Sequence, residues 1–454
     1  MNLRAATPAP QIVVLGAGFA GLTFCQTFRH PTARLTLVDR ENHHLFQPLL
    51  YQVATAGLSA PEIAQPIRSI LRSHRNVSVR LREVVAVDLS RREVGLDGDV
   101  LRYDYLVLAL GGRTHYFGHP EWAHFAPGLK TLDDALTIRR QVLLAFERAE
   151  EATTPTARER LMTFVVIGGG PTGVELAGAL AELTRRALRR DFRRINPQET
   201  RVILVEAGPR LLNQFSVRLS AKAAAQLTAL GVHVHLGTPV QRIAEGVVRL
   251  ADGTTLSSAN ILWTAGVAAN PLTQTLGVSL DRAGRVRVNP DLSVPGHPEV
   301  FAVGDLALAL DGRQQPVPGV APAAIQMARH VARLIQAELR HPPTAPKARS
   351  PFRYRDKGMM ATIGRSAGAV QLGRWEFSGW LAWMAWLLTH LLFLIGFRNR
   401  AAVLLQWTYS YFTYKRGARI VSRAAALSPL EPGAQPPSPA PGDQPVARTT
   451  VVSL

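Results

Sequence analysis

The sequence predicts an α/β fold of two interleaved strand–turn–helix units, with a separate apolar region near its C-terminal end. Three observations carry this expectation. An apolar run leading through a glycine-rich turn into a helical stretch occurs twice, beginning at Gln11 and again at Phe164. A further apolar run, Val300 to Val303, delivers Gly304 and Asp305 at its end. Phe377 to Phe397 then runs for 21 residues without a formal charge.

The first unit opens with a strand, Gln11–Leu15, that stops at Gly16-Ala17-Gly18-Phe19-Ala20-Gly21 and continues as a helix through Leu22 to Phe28. Its next strand, Arg34–Val38, ends in Asp39, 18 residues beyond Gly21. The second unit repeats this order: strand Phe164–Ile167, turn Gly168-Gly169-Gly170-Pro171-Thr172-Gly173, helix Val174–Thr184, strand Arg201–Val205, and Glu206. A basic stretch, Arg185 to Arg194, stretches this copy past the usual spacing of about 20 residues and reads as extended helix and loop. Tyr105–Leu110 before Gly111-Gly112, and Ile261–Thr264 before Ala265-Gly266, supply one more strand to each unit. His341 to Pro346 reads as a linker, Phe352 to Gly373 as a β-rich piece, and Ala426 to Leu454 as a disordered tail rich in Pro and Gly.

Composition narrows the function. A chain of 454 residues with 47% hydrophobic and 19% charged residues can bury more than one core. The single cysteine, Cys25, excludes an internal disulfide framework, a cysteine-ligated zinc site and a two-cysteine redox centre. No His and acidic spacing suggests a metal. The net charge of +19 favours phosphates, nucleic acid or an anionic membrane without choosing among them. Lysine occurs only at positions 130, 222, 347, 357 and 415, so the basic character is nearly all arginine. Met1 to Gln11 lacks the apolar run of a secretory signal, which places the bulk of the chain in the cytoplasm.

Glycine at the first, third and sixth positions of such a turn lets backbone N–H groups and a helix N-terminus approach a pyrophosphate. Gly16, Gly18 and Gly21 meet that requirement, as do Gly168, Gly170 and Gly173. Asp39 and Glu206, each closing the next strand, suit a ribose diol. A carboxylate at Glu206 repels a 2′-phosphate and favours NADH over NADPH, with Arg210 nearby in sequence as the opposing influence. Two Rossmann-like dinucleotide sites in one chain suggest a flavin and a nicotinamide, and hydride transfer between them.

The order GAGFAGL, GGGPTGVELAG and VFAVGD resembles the two-dinucleotide-binding-domain flavoproteins of the disulfide-reductase superfamily. That resemblance assigns Gly16, Gly18, Gly21, Asp39, Gly304 and Asp305 to FAD, and Gly168, Gly170, Gly173 and Glu206 to NADH. Disulfide reductases carry a cysteine pair after the first motif and sulfide:quinone oxidoreductases also depend on cysteines. The stretch Asn42 to Thr55 has none. It is instead similar to the HLFQPLLYQVATG signature of type II NADH dehydrogenases, single-subunit NADH:quinone oxidoreductases. Arg355 to Arg365 resembles their DKGxMATIGR segment, and Pro318 to Gln326 their PGVAPAAxQ form. The likeness runs from about residue 10 to about residue 420.

The resemblance implies an α/β fold with an NADH-binding domain (126–284) inserted into a split FAD-binding domain (1–125 and 285–345), then a membrane-anchoring region (346–425). It implies a non-proton-pumping enzyme of the respiratory chain, with a membrane quinone as acceptor and a homodimer as assembly. Glu175 would position the nicotinamide or deliver a proton, and Lys357 would stabilise negative charge on reduced flavin or quinone. The family's quinone-site motif AQxAxQ is altered here. Pro322 replaces the first glutamine and has no side-chain donor or acceptor, which leaves Gln326 as the candidate near the flavin. His43 and His44 have the chemistry of proton carriers, although packing or surface roles are commoner.

A helix over 377–397 would span about 31 Å, enough to cross a bilayer. His390 within the run, Trp380, Trp383 and Trp386, and the flanking Arg398 and Arg400 favour attachment to one leaflet instead. The net charge fits the anionic cytoplasmic face. No nucleic-acid partner is expected. The competing readings are a soluble NADH oxidase or diaphorase, and a redox-sensing flavoprotein resembling apoptosis-inducing factor.

Overall fold

Two parallel sheets grow from the two glycine turns. The computed structural model describes residues 9–340, 349–413 and 417–421, so the expected linker at 341–346 and tail at 426–454 lie outside the described residues. The first sheet has six strands in the order Ser293–Val294, His297–Ala302, Tyr105–Leu108, Gln11–Leu15, Arg34–Asp39, Val77–Leu81. All its pairings are parallel except the one between the first two. The second has four parallel strands, Val232–His235, Arg201–Val205, Thr163–Ile167 and Asn260–Trp263. In each, the strand that opens the unit is flanked on one side by its successor and on the other by a later strand. The crevice at that topological switch, beyond the strands' carboxyl ends, is where open α/β sheets take ligands.

The central strands read as continuous apolar runs because helices cover both faces. Ile12, Val14 and Leu15 are fully buried, as are Phe164, Val165 and Val166. The first unit thus has its own core, which also takes in the buried face of the long helix Ala321–Arg340. The second core extends further. It includes Phe46, Leu49 and Val53 from the segment after Asp39, and Trp386, Leu394 and Val403 from the C-terminal region. An antiparallel pair, Gly112–Thr114 with Val267–Ala269, links the two units near the mouths of their crevices.

The β-rich piece is a three-stranded antiparallel sheet of Met359–Thr362, Gly368–Leu372 and Trp375–Ser378. The charge-free run that follows differs from the expected single helix. Its helix covers only Trp380–Phe393, 14 residues, or roughly 21 Å. Leu394 is extended and Gly396 takes a φ of +85°, so the chain turns before a second helix at Phe397–Thr413. No helix among the described residues is long and apolar enough to cross a membrane. Along the basic stretch after the second turn, the helix Pro171–Glu182 continues as a π-turn at Leu183–Ala187, and turns and irregular backbone follow.

Candidate active site

The two glycine turns have the same construction. Gly16 (φ +97°) and Gly168 (φ +113°) turn the chain where a Cβ would lie 2.4 Å from the Ala109 carbonyl and 2.7 Å from the Ala265 nitrogen. A Cβ on Gly21 or Gly173 would lie 1.8 Å from the carbonyl oxygen of Gly16 or Gly168, so only glycine lets each helix start against its own strand. Gly18 and Gly170 differ, since nothing lies within 4 Å of a Cβ at either. Those two are the N-caps of their helices, with no side-chain cap bond. Open space before uncapped helix N–H groups is what a dinucleotide pyrophosphate requires, so both turns fit one.

The strand-end carboxylates are held alike. Asp39 accepts the Ala17 N–H at 2.5 Å and the Glu41 N–H at 2.8 Å. Burial pushes its carboxyl above the ordinary value, and those two N–H groups pull it partly back. Glu206 accepts the Gly169 N–H at 2.5 Å and the Gly208 N–H at 2.7 Å. Arg210 does not face it: its guanidinium donates to the Phe215 and Asn213 carbonyls at 2.8 and 2.6 Å, closing its own loop. Asp305 sits on the turn after His297–Ala302, where Gly304 adopts a φ of +69°. Its carboxylate pairs with Lys130 at 3.3 Å, a partner that sequence motifs did not indicate.

A cleft of about 1600 Å³ joins the units. It is lined by Gly16, Gly18 and Asp39 from the first turn, Gly304 and Asp305, Gly170 from the second turn, and Glu175 and Lys357. Gly21, Gly168, Gly173 and Glu206 are not among its lining residues. Glu175, on the helix of the second turn, is buried and accepts the Thr362 N–H at 3.2 Å. Burial pushes its carboxyl up to about 8, opposed by the Thr362 N–H and by the nearby Trp386 indole. Among the described residues the indole nitrogen has no hydrogen-bond partner. Burial thus favours the protonated form of Glu175.

The helix Trp380–Phe393 supplies part of the wall. His390 lines the cleft, its ring stacked on Trp386 at 4.0 Å, and its Nδ1 donates to the Trp386 carbonyl at 2.7 Å. Burial lowers its pKa to about 4, so it is neutral. The sequence alone offers both residues only as membrane-interface features. Their spacing of four on an apolar helix, with one polar ring, is the signal that pointed inward.

Gln326 stands beside the cleft on the helix Ala321–Arg340. It is absent from the cleft lining, because its amide is spent on the backbone of Arg355, donating to the carbonyl at 2.9 Å and accepting the N–H at 3.0 Å. It clips the segment that carries Lys357, while Pro322 lines the cleft directly. His44 is buried, with Nδ1 donating to the Ala17 carbonyl at 2.9 Å, and supports the first turn from behind. His43 lines the cleft. Among the described residues no cluster could hold a metal ion.

Residues 10–328 match the pyridine nucleotide-disulphide oxidoreductase family. Across 430 residues the chain is 44% identical to the type II NADH:quinone oxidoreductase Ndh of Mycobacterium tuberculosis, covering 92% of this chain and 91% of that protein. The chain belongs to the type II NADH:quinone oxidoreductase family. NdhA of the same organism, another type II NADH:quinone oxidoreductase, is also 44% identical, covering 91% of this chain and 89% of the relative. The fold matches that of NDH2 from Plasmodium falciparum in complex with NADH, with a TM-score of 0.83 at 19% identity over 90% of this chain and 99% of that one. Family membership accounts for both turns opening toward one cleft, since flavin and nicotinamide chemistry must meet there.

Proposed function

We propose that this type II family member is an FAD-dependent, non-proton-pumping NADH:quinone oxidoreductase attached to the cytoplasmic face of the cell membrane. The observation that carries the reading is the single cleft bordered by both glycine turns and Glu175, with no second cysteine in the chain to take electrons from a flavin. FAD belongs at the first turn, with its pyrophosphate before Gly18, a ribose on Asp39, and the Asp305–Lys130 pair beside the remainder. NADH belongs at the second, with its pyrophosphate before Gly170 and a ribose on Glu206. The flavin supplies two-electron chemistry, taking hydride from NADH and reducing quinone.

The chain's own groups bind, orient and hold protons. Glu175 keeps an acid proton at the wall of the cleft under neutral conditions, where a quinone oxygen needs one. Lys357, exposed at the rim, places a positive charge where reduction builds up negative charge. Residues 126–284 form the NADH-binding domain between the halves of the FAD-binding domain, and 346–425 form the membrane region. The outer face of its helix Trp380–Phe393 exposes Leu381, Leu388, Leu392 and Phe393, each more than half accessible, as a monotopic attachment requires.

The test is anaerobic. Purified yellow protein is reduced with one equivalent of NADH, a short-chain quinone is added, and flavin absorbance is followed. Bleaching and then rapid recovery are expected; bleaching without recovery would remove quinone as the acceptor, and no bleaching would undo the assignment of the two sites.

A further inference from the structure

The arginine stretch after the second turn is used by neither dinucleotide site, yet its backbone is fixed. The Glu150 carboxylate accepts the N–H groups of Arg193 and Arg194 at 2.9 Å and of Ile195 at 3.1 Å, and Leu188 and Ile195 are buried beneath it. Arg189, Arg190 and Arg193 remain exposed on this frame and form no ion pair among the described residues. A fixed backbone carrying unneutralised guanidinium groups is preorganised for anions, and the planar fork suits phosphate.

The stretch also has a defined neighbour. Glu182, which leads into it, accepts the Arg365 N–H. The Arg365 guanidinium donates to the carbonyls of Ser410 and Tyr411 at 2.7 and 3.0 Å, at the end of the last helix. Arg419 returns to donate to the Ala187 carbonyl at 3.2 Å and to pair with Asp191. At that helix end Tyr409 and Phe412 are 50% and 77% exposed. The stretch that carries the exposed guanidinium groups is thus tied, through Arg365 and Arg419, to the helix end that carries the exposed aromatic rings, and such rings settle at the depth of lipid headgroups.

We propose that Arg189, Arg190 and Arg193 bind the phosphates of anionic phospholipids in the bilayer that the aromatic helix end enters. The inference rests on the proposed membrane attachment and adds the surface that selects the lipid. Nucleic acid offers phosphates too, but has no counterpart for the adjoining rings.

The test uses flavin-loaded wild type and the triple variants R189Q/R190Q/R193Q and R189K/R190K/R193K. Each is sedimented with phosphatidylcholine vesicles, alone or containing phosphatidylglycerol, at low and high salt. Flavin absorbance and its bleaching by NADH confirm the fold of every variant. Wild type should favour the anionic vesicles, less so at high salt. The glutamine variant should lose tenfold or more of that partition, since each surface arginine contributes about fivefold. Its binding to neutral vesicles should match wild type, and the lysine variant should keep most of the anionic preference. Equal anionic binding by wild type and the glutamine variant would overturn the lipid assignment while leaving attachment intact. Wild type that binds neither vesicle would remove attachment, and the inference with it. A glutamine variant that loses duplex DNA binding but keeps vesicle binding would transfer the arginines to nucleic acid.

Discussion

Replacing Glu175 by glutamine tests whether the cleft wall holds a protonated carboxyl. Burial raises that carboxyl from 4.5 to about 8 in the folded protein. Between those values the folded state binds the proton more tightly than the unfolded chain. Stability is therefore unaffected by this group below pH 4.5, falls as pH rises through the window, and is lowest above pH 8. At about 1.4 kcal/mol per pH unit, the loss from pH 5 to pH 9 is ~4 kcal/mol as an upper bound. Unfolding entropy of roughly 2.1 cal/mol/K per residue over about 420 residues converts this to some 4–5 °C in Tm. Glutamine keeps the shape and an acceptor for the Thr362 N–H, but has no charge to bury.

The assay is thermal unfolding of the flavin-loaded wild type and Glu175→Gln across pH 5 to 9. His44, His330 and His390, whose pKa values burial lowers, add stability as pH rises toward 6.5, but they do so in both proteins and cancel in the difference. The variant should gain on wild type steadily with pH, most clearly from pH 6.5 to 8. Parallel curves would refute a buried, protonated Glu175. In turnover, glutamine has no acid proton to give, so the rate with quinone should fall more than the rate of flavin bleaching by NADH.

Alanine at Gly173 and at Gly170 should act oppositely: the first meets the Gly168 carbonyl at 1.8 Å and should destabilise the fold by several degrees, whereas the second has open space. Gly170→Ala should keep its Tm and lose NADH affinity, seen in a bleaching titration. Glu206→Ala should weaken NADH binding about tenfold, the scale of hydrogen bonds to a charged group, with FAD content unchanged; unaltered affinity would exclude the ribose role. Lys130→Met leaves Asp305 without its 3.3 Å partner and should speed flavin loss on dialysis. Leu381, Leu388 and Leu392 changed together to serine should release the protein from membranes with Tm preserved, because all three are exposed. Deleting the whole region would instead take Trp386, Leu394 and Val403 out of the second core.

The glycine turns and strand-end carboxylates were legible in the sequence because their physics is local. Gly16 meets Ala109 across adjacent strands and Gly21 meets its own turn, so spacing alone encodes the geometry. The partners of Lys130, Gln326 and Trp386 were not legible because they come from segments distant in sequence: Asp305, the Arg355 backbone and Glu175. Lys130 reaches Asp305 across the cleft, and Gln326 binds a backbone that no side-chain pattern reveals. The apolar run shows the difficulty most clearly. Hydropathy over 377–397 adds up residues that the helix separates: Ala382 and Trp386 are buried, while Leu381, Leu388 and Leu392 are exposed. An average over the run suggests length enough to cross a bilayer, yet Leu394 and Gly396 end the helix at 14 residues. One short helix thus has an inner face that desolvates Glu175 and an outer face left for lipid. If the proposed attachment seats that outer face in lipid, a shift of the helix at the membrane would change the burial of the Glu175 carboxyl through Trp386.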